Sequence, residues 1–130
     1  MNIYDYFSGL ERSLTRKVKI GSPEQPVICL ASDDHNGLVR CRVFFWDGSY
    51  LDLYEVVSTE HGYPVRIHYA YTYVRGEQRV FRYDNAPHPT EILTFPHHKH
   101  IGQQDTLTES PEPKLSDILA EIESLLTKSG

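Results

Sequence analysis

The sequence predicts an α+β domain: an N-terminal helix, an antiparallel β-meander of about four to five strands, and a C-terminal helix. Three observations predict it. Ile3, Tyr6, Phe7, Leu10 and Leu14 recur at helical spacing near the start, as do Leu115, Ile118, Leu119, Ile122, Leu125 and Leu126 near the end. Between them, Val39, Cys41, Val43 and Phe45 alternate with Arg40, Arg42, Phe44 and Trp46, the period of two that a strand shows. The strand candidates are joined by connections too short for parallel crossovers, so neighbours run antiparallel.

In chain order, the first amphipathic helix gives way to the basic segment Arg16-Lys17-Val18-Lys19-Ile20, a helix end or an edge strand, and Gly21-Ser22-Pro23 breaks it. Val27 to Ser32 is a short strand, and Asp33-Asp34-His35-Asn36-Gly37 a turn ending in the Asn-Gly pair that hairpins favour. Asp47-Gly48 turns the chain from the alternating strand into Tyr50 to Val57. After Glu60-His61-Gly62, Val65, Ile67, Tyr69, Tyr71 and Tyr73 should face one way and Arg66, His68, Ala70 and Thr72 the other. Arg75 to Gln78 turns into the last strand, Arg79 to Tyr83. Residues 1–103 form the domain, 104–113 a polar linker, and 114–130 a helix that covers the sheet or binds a partner.

Composition narrows the function. A chain of 130 residues, 39% hydrophobic and 24% charged, suits one globular domain. It has no apolar run of membrane-spanning length and no leader pattern at its start, and Cys29 and Cys41 read as small buried thiols, so a cytoplasmic protein is expected. The formal net charge of -5 excludes a surface built throughout for nucleic acid but allows a local basic cleft.

The chemistry concentrates in Phe81-Arg82-Tyr83-Asp84-Asn85-Ala86-Pro87-His88 and in Phe95-Pro96-His97-His98-Lys99-His100. Pro87, Pro89 and Pro96 stiffen the loop between these two stretches. Histidines in unlike surroundings can supply a base and an acid near neutral pH. Arg82 and Lys99 can neutralise a phosphate, and Asp84 can orient a histidine or fix a turn. These are the parts needed to cleave a ribose phosphodiester without metal, since RNA brings its own nucleophile. The candidate catalytic residues are therefore Arg82, Asp84, His88, His98, Lys99 and His100, with Tyr83, Asn85, His97, Arg66 and His68 as substrate contacts. No cofactor is expected. Metal ligation is the competing use of the histidines; in an extended segment His98 and His100 share a side and would be the chelating pair.

Those same two stretches resemble the TumE-type toxins of prokaryotic toxin–antitoxin pairs, over about a sixth of the chain. The family pattern often carries a second histidine after His88, where this chain has Pro89, so no His–His pair is expected there. The resemblance implies a small cytoplasmic toxin, made beside a helix-turn-helix antitoxin, that arrests growth by acting on RNA; it leaves a homodimer open. The alternative is a non-catalytic protein whose His-rich loop grips a metal or partner and whose Arg40, Arg42 and Arg66 dock on nucleic acid. Both stretches in one concave pocket would favour the enzyme and a flat, dispersed arrangement the binder; a single site is expected to hold His88 and at least one of His97, His98 and His100 within about one ordered water of Arg82 or Asp84.

Overall fold

The computed structural model describes residues 1–16, 22–23, 27–86, 96–102 and 106–128. Pro87, His88, Pro89 and Phe95 lie outside them, as does all of the basic segment after Arg16.

The chain opens with helix α1, Ile3–Arg16. Its start is fixed by a reciprocal cap: Asp5 N–H donates to Asn2 Oδ1 (3.0 Å) and Asn2 N–H to Asp5 Oδ2 (2.9 Å). Ile3, Phe7, Leu10 and Leu14 form its buried stripe, as the spacing requires. The strands follow as β1 (Ser22–Pro23), β2 (Ile28–Ala31), β3 (Asn36–Phe44), β4 (Tyr50–Ser58), β5 (Val65–Arg75) and β6 (Gln78–Asp84). They continue through β7 (His98–Ile101) and β8 (Thr106–Glu109) into helix α2, Leu115–Lys128. All pairings are antiparallel. β3 to β8 lie side by side in chain order, and β1 and β2 both pair with the other edge of β3.

Both helices pack on one face of this sheet. Ile118, Leu119, Ile122 and Leu126 of α2 join the α1 stripe, Val39, Cys41, Leu51, Leu53, Tyr69, Tyr71, Tyr73 and Phe81 in a single core. The C-terminal helix thus covers the sheet of its own chain. Within this layer lies a buried carboxylate, Glu55, which accepts hydrogen bonds from the hydroxyls of Tyr6 and Tyr71. Arg66 donates to the Tyr71 hydroxyl (2.7 Å) and to the Pro113 carbonyl, tying the approach to α2 to the sheet.

Three points differ from the sequence reading. The sheet exceeds the expected four to five strands, because β1, β7 and β8 are added at its edges. β8 falls within the segment read as linker, whose polar composition suits an edge strand as well as a coil. The Asn36-Gly37 pair is not the hairpin corner: the turn lies before it, where Asp33 Oδ1 accepts the His35 and Asn36 N–H groups (both 2.8 Å). Gly37 sits inside β3 because a Cβ there would meet the Leu30 carbonyl at 2.7 Å and the Phe7 ring at 2.8 Å. Its small size lets α1 approach the sheet.

Candidate active site

Strand register decides which side chains share the face away from the helices. Arg40 pairs with Tyr54, Tyr54 with Ala70, Ala70 with Asp84, and Asp84 with His98. The next row runs Arg42, Asp52, Thr72, Arg82, His100. Cross-strand partners point the same way, so Arg82, Asp84, His98 and His100 form a two-by-two block at one end of an arginine-bearing face. Ala70 and Thr72 are small and leave a groove of about 690 Å³ between the block and the arginines, lined by Arg40, Arg42, Asp52, Tyr54, Thr72 and Arg82 among others.

The block closes on Asp84, which is buried. Its Oδ1 accepts the Ala86 N–H (3.0 Å) and lies 2.7 Å from His98 Nε2. Its Oδ2 accepts the Arg82 Nε–H (2.9 Å) and lies 3.2 Å from His100 Nε2. The two imidazole Nε2 atoms are 3.1 Å apart. His98 Nδ1 is 2.8 Å from the Pro96 carbonyl oxygen, which can only accept, so that nitrogen carries a proton. In a neutral His98 ring the Nε2 is then an unprotonated nitrogen aimed at a carboxylate. A proton shared between the two groups, or a cation bound between them, would favour so close an approach. Arg82 also reaches Thr72 Oγ1 (3.4 Å), which fixes its guanidinium at the mouth of the groove.

His98 and His100 both bond Asp84 directly, as a single site requires; His88 lies outside the described residues. Lys99 points the other way. Its Nζ donates to Glu121 of α2 (2.8 Å) and stands over the Tyr83 and Phe81 rings at 4.8 and 5.1 Å. Burial lowers its pKa, but the bonds to Glu121 and Tyr83 outweigh this and hold it above the ordinary lysine value. Tyr83 shares that face and donates to Glu121 (2.6 Å). His97 stacks on Tyr69, with Nδ1 2.8 Å from the Tyr69 hydroxyl, also on the helix side.

Asn85 extends the sheet past the end of β6, accepting the Tyr69 N–H and donating to the Ile67 carbonyl, both at 3.0 Å. Arg66 and His68 were expected on one face, but a bulge pairs Val57 with Arg66 and Val56 with His68. Arg66 is thereby turned to the helix side, while exposed His68 keeps the open side. Thr72 and Ala70 are the contributors that residue chemistry alone did not single out. Pairing register would have found them, since they lie directly opposite Arg82 and Asp84.

The family model described as Toxin TumE matches residues 27–126, a span that includes all four members of the block. The chain belongs to this toxin family, as the toxin component of a toxin–antitoxin pair, which implies an antitoxin partner. No curated protein and no solved structure matches it. Among the described residues, no helix is long and apolar enough to cross a membrane.

Proposed function

We propose that this toxin cleaves RNA, with the groove as the strand's track and the Arg82–Asp84–His98–His100 block as the reacting centre. The observation that carries this reading is the convergence of two imidazoles and a guanidinium on one buried carboxylate at the end of an arginine-lined groove. Arg40 stands 5.4 Å from the Tyr54 ring centroid, and Arg42, paired with Asp52, stands 4.1 Å from that of Tyr50. Alternating cations and aromatic faces suit the phosphates and bases of a single strand.

The geometry supports a division of roles within the block. Two Nε2 atoms 3.1 Å apart cannot stand on opposite sides of a phosphorus, so the pair does not serve as base and acid together. The His98 side chain is 0% exposed and His100 13%, which makes His100 the imidazole within reach of RNA. His100 takes the 2′-hydroxyl proton, the 2′-oxygen attacks phosphorus, and Arg82 neutralises the charge that gathers on the phosphoryl oxygens. Asp84 and His98 position His100. The departing 5′-oxygen takes its proton from a second acid, for which His88 is the candidate by sequence. The scheme uses side chains alone.

Purified protein incubated with labelled RNA should give products ending in 2′,3′-cyclic phosphate and 5′-hydroxyl, and His100→Ala should slow this by ~10²–10⁴-fold. RNA that is bound and left intact would support a non-catalytic binding protein instead.

A further inference from the structure

We infer that Asp84, His98 and His100 form a binding site for one divalent transition-metal ion of the zinc type, and that the bound ion switches the toxin off. Three distances carry the inference. His98 Nε2 lies 2.7 Å from Asp84 Oδ1, His100 Nε2 3.2 Å from Asp84 Oδ2, and the two Nε2 atoms 3.1 Å apart, so that one donor atom from each residue lies within 4.8 Å of the others. An ion bound at ~2.1 Å by donors at roughly right angles has donor–donor edges of about 3.0 Å, and a tetrahedral ion has edges of about 3.4 Å. The two Nε2 atoms therefore already have the spacing of adjacent ligands, and the two oxygens of one carboxylate face them.

The surroundings fit as well. The Nδ1–H of His98 donates to the Pro96 carbonyl, the outer bond that fixes a ligating imidazole with its Nε2 forward. The Ala86 N–H and the Arg82 Nε–H hold the carboxylate from behind. Two imidazoles with one carboxylate favour zinc, cobalt, nickel, manganese or iron(II) over magnesium or calcium, which prefer oxygen donors. Such an ion would sit between the His98 imidazole and the Asp84 carboxylate, which already face each other at 2.7 Å. Binding itself stands on donor geometry and holds whatever the chain acts on. The switch rests on the proposed RNA cleavage: an ion on His100 Nε2 occupies the lone pair that would take the 2′-hydroxyl proton.

The test is a titration of chelator-stripped protein with Zn²⁺, followed by calorimetry and by ring ¹⁵N resonances. The expected result is one ion per chain, with the Nε2 signals of two histidines shifting and protons released on binding. His100→Ala should weaken uptake by at least ~10–100-fold, and His61→Ala, in an exposed turn, should leave it unchanged. No uptake at about 1 mM Zn²⁺, or uptake that a folded His100→Ala chain retains, would overturn the site. If His100→Ala does not fold, the wild-type ring signals decide: shifts confined to other histidines overturn it too. Loss of RNA cleavage with one equivalent of Zn²⁺, restored by chelator, supports the switch. Zinc uptake in a chain that never cleaves RNA keeps the site and removes the nuclease reading. Zinc uptake that leaves cleavage unchanged or raises it overturns the switch.

Discussion

Asp84 and His98 are register partners on adjacent strands, with Oδ1 and Nε2 2.7 Å apart and both side chains almost fully buried. β6 ends at Asp84 and β7 begins at His98, so the pairing anchors both ends of the connection between the two conspicuous stretches of sequence. Replacing Asp84 by Ala removes the common acceptor of Arg82, His98 and the Ala86 amide. We expect a stability loss of ~1–3 kcal/mol for those unsatisfied groups, read by denaturant titration. Asp84→Asn should lose less.

Arg82 and Lys99 make a contrasting pair. Arg82 lies on the open face and Lys99 on the helix side. Arg82→Ala should weaken binding of uncleaved RNA and reduce its salt dependence by about one counterion-releasing contact. Lys99→Ala should leave that slope unchanged and instead loosen α2, by about 0.5–1 kcal/mol given the partial exposure of its bond to Glu121. Binding isotherms at several salt concentrations, with thermal melts, separate the two outcomes.

Two backbone positions predict opposite changes. Gly37→Ala forces a Cβ against the Leu30 carbonyl and the Phe7 ring and should cost about 1–3 kcal/mol. Gly76 and Glu77 form the two-residue corner between β5 and β6, with φ of 56° and 64°. Glu77→Gly removes the left-handed penalty of a side-chain-bearing residue and should stabilise by about 0.5–1 kcal/mol, measured by the same titration.

Much of this fold was legible because its meander alternates cleanly. Val39 to Phe45 and Tyr69 to Tyr73 each put every second side chain into the core, and Asp47-Gly48 forms the corner between β3 and β4. β7 was not legible as a strand, since His98-Lys99-His100-Ile101 has no apolar alternation: one of its faces is the site, and the other carries an ion pair. His98 and His100 were recognised from their spacing, yet adjacency suggested Lys99 as a member of the same cleft. Alternation along β7 sends it to the helix side. Arg66 was assigned the wrong face for another reason: a bulge in its own strand, with Ile67 as the extra residue, inverts the alternation and leaves no mark in composition.

The tyrosine–carboxylate cluster predicts behaviour at alkaline pH. Burial first, and then the charge of Glu55, hold the Tyr6 and Tyr71 hydroxyls far above the ordinary phenol value of 10.0. Above that value the unfolded chain releases protons that the folded chain keeps, so stability falls as pH rises. Each tyrosine should contribute a slope of about 1.4 kcal/mol per pH unit beyond pH ~10. Tyr6→Phe should lower stability at neutral pH and make the alkaline loss less steep. Equal slopes in wild type and variant would remove this role.

The C-terminal helix supplies four buried side chains to the single core and receives bonds from Arg75, Tyr83 and Lys99. A chain ending before Lys114 should therefore lose its sharp unfolding transition, followed by circular dichroism. A retained transition would mean that the sheet and α1 fold alone.

The most direct test of the proposed RNA cleavage is a single-turnover assay in excess chelator, comparing wild type with folded His100→Ala. Side-chain proton transfer predicts a full wild-type rate without metal and a fall of ~10²–10⁴-fold on replacing His100. A wild-type chain that cleaves nothing in chelator, or a His100→Ala chain that cleaves as fast, would contradict it.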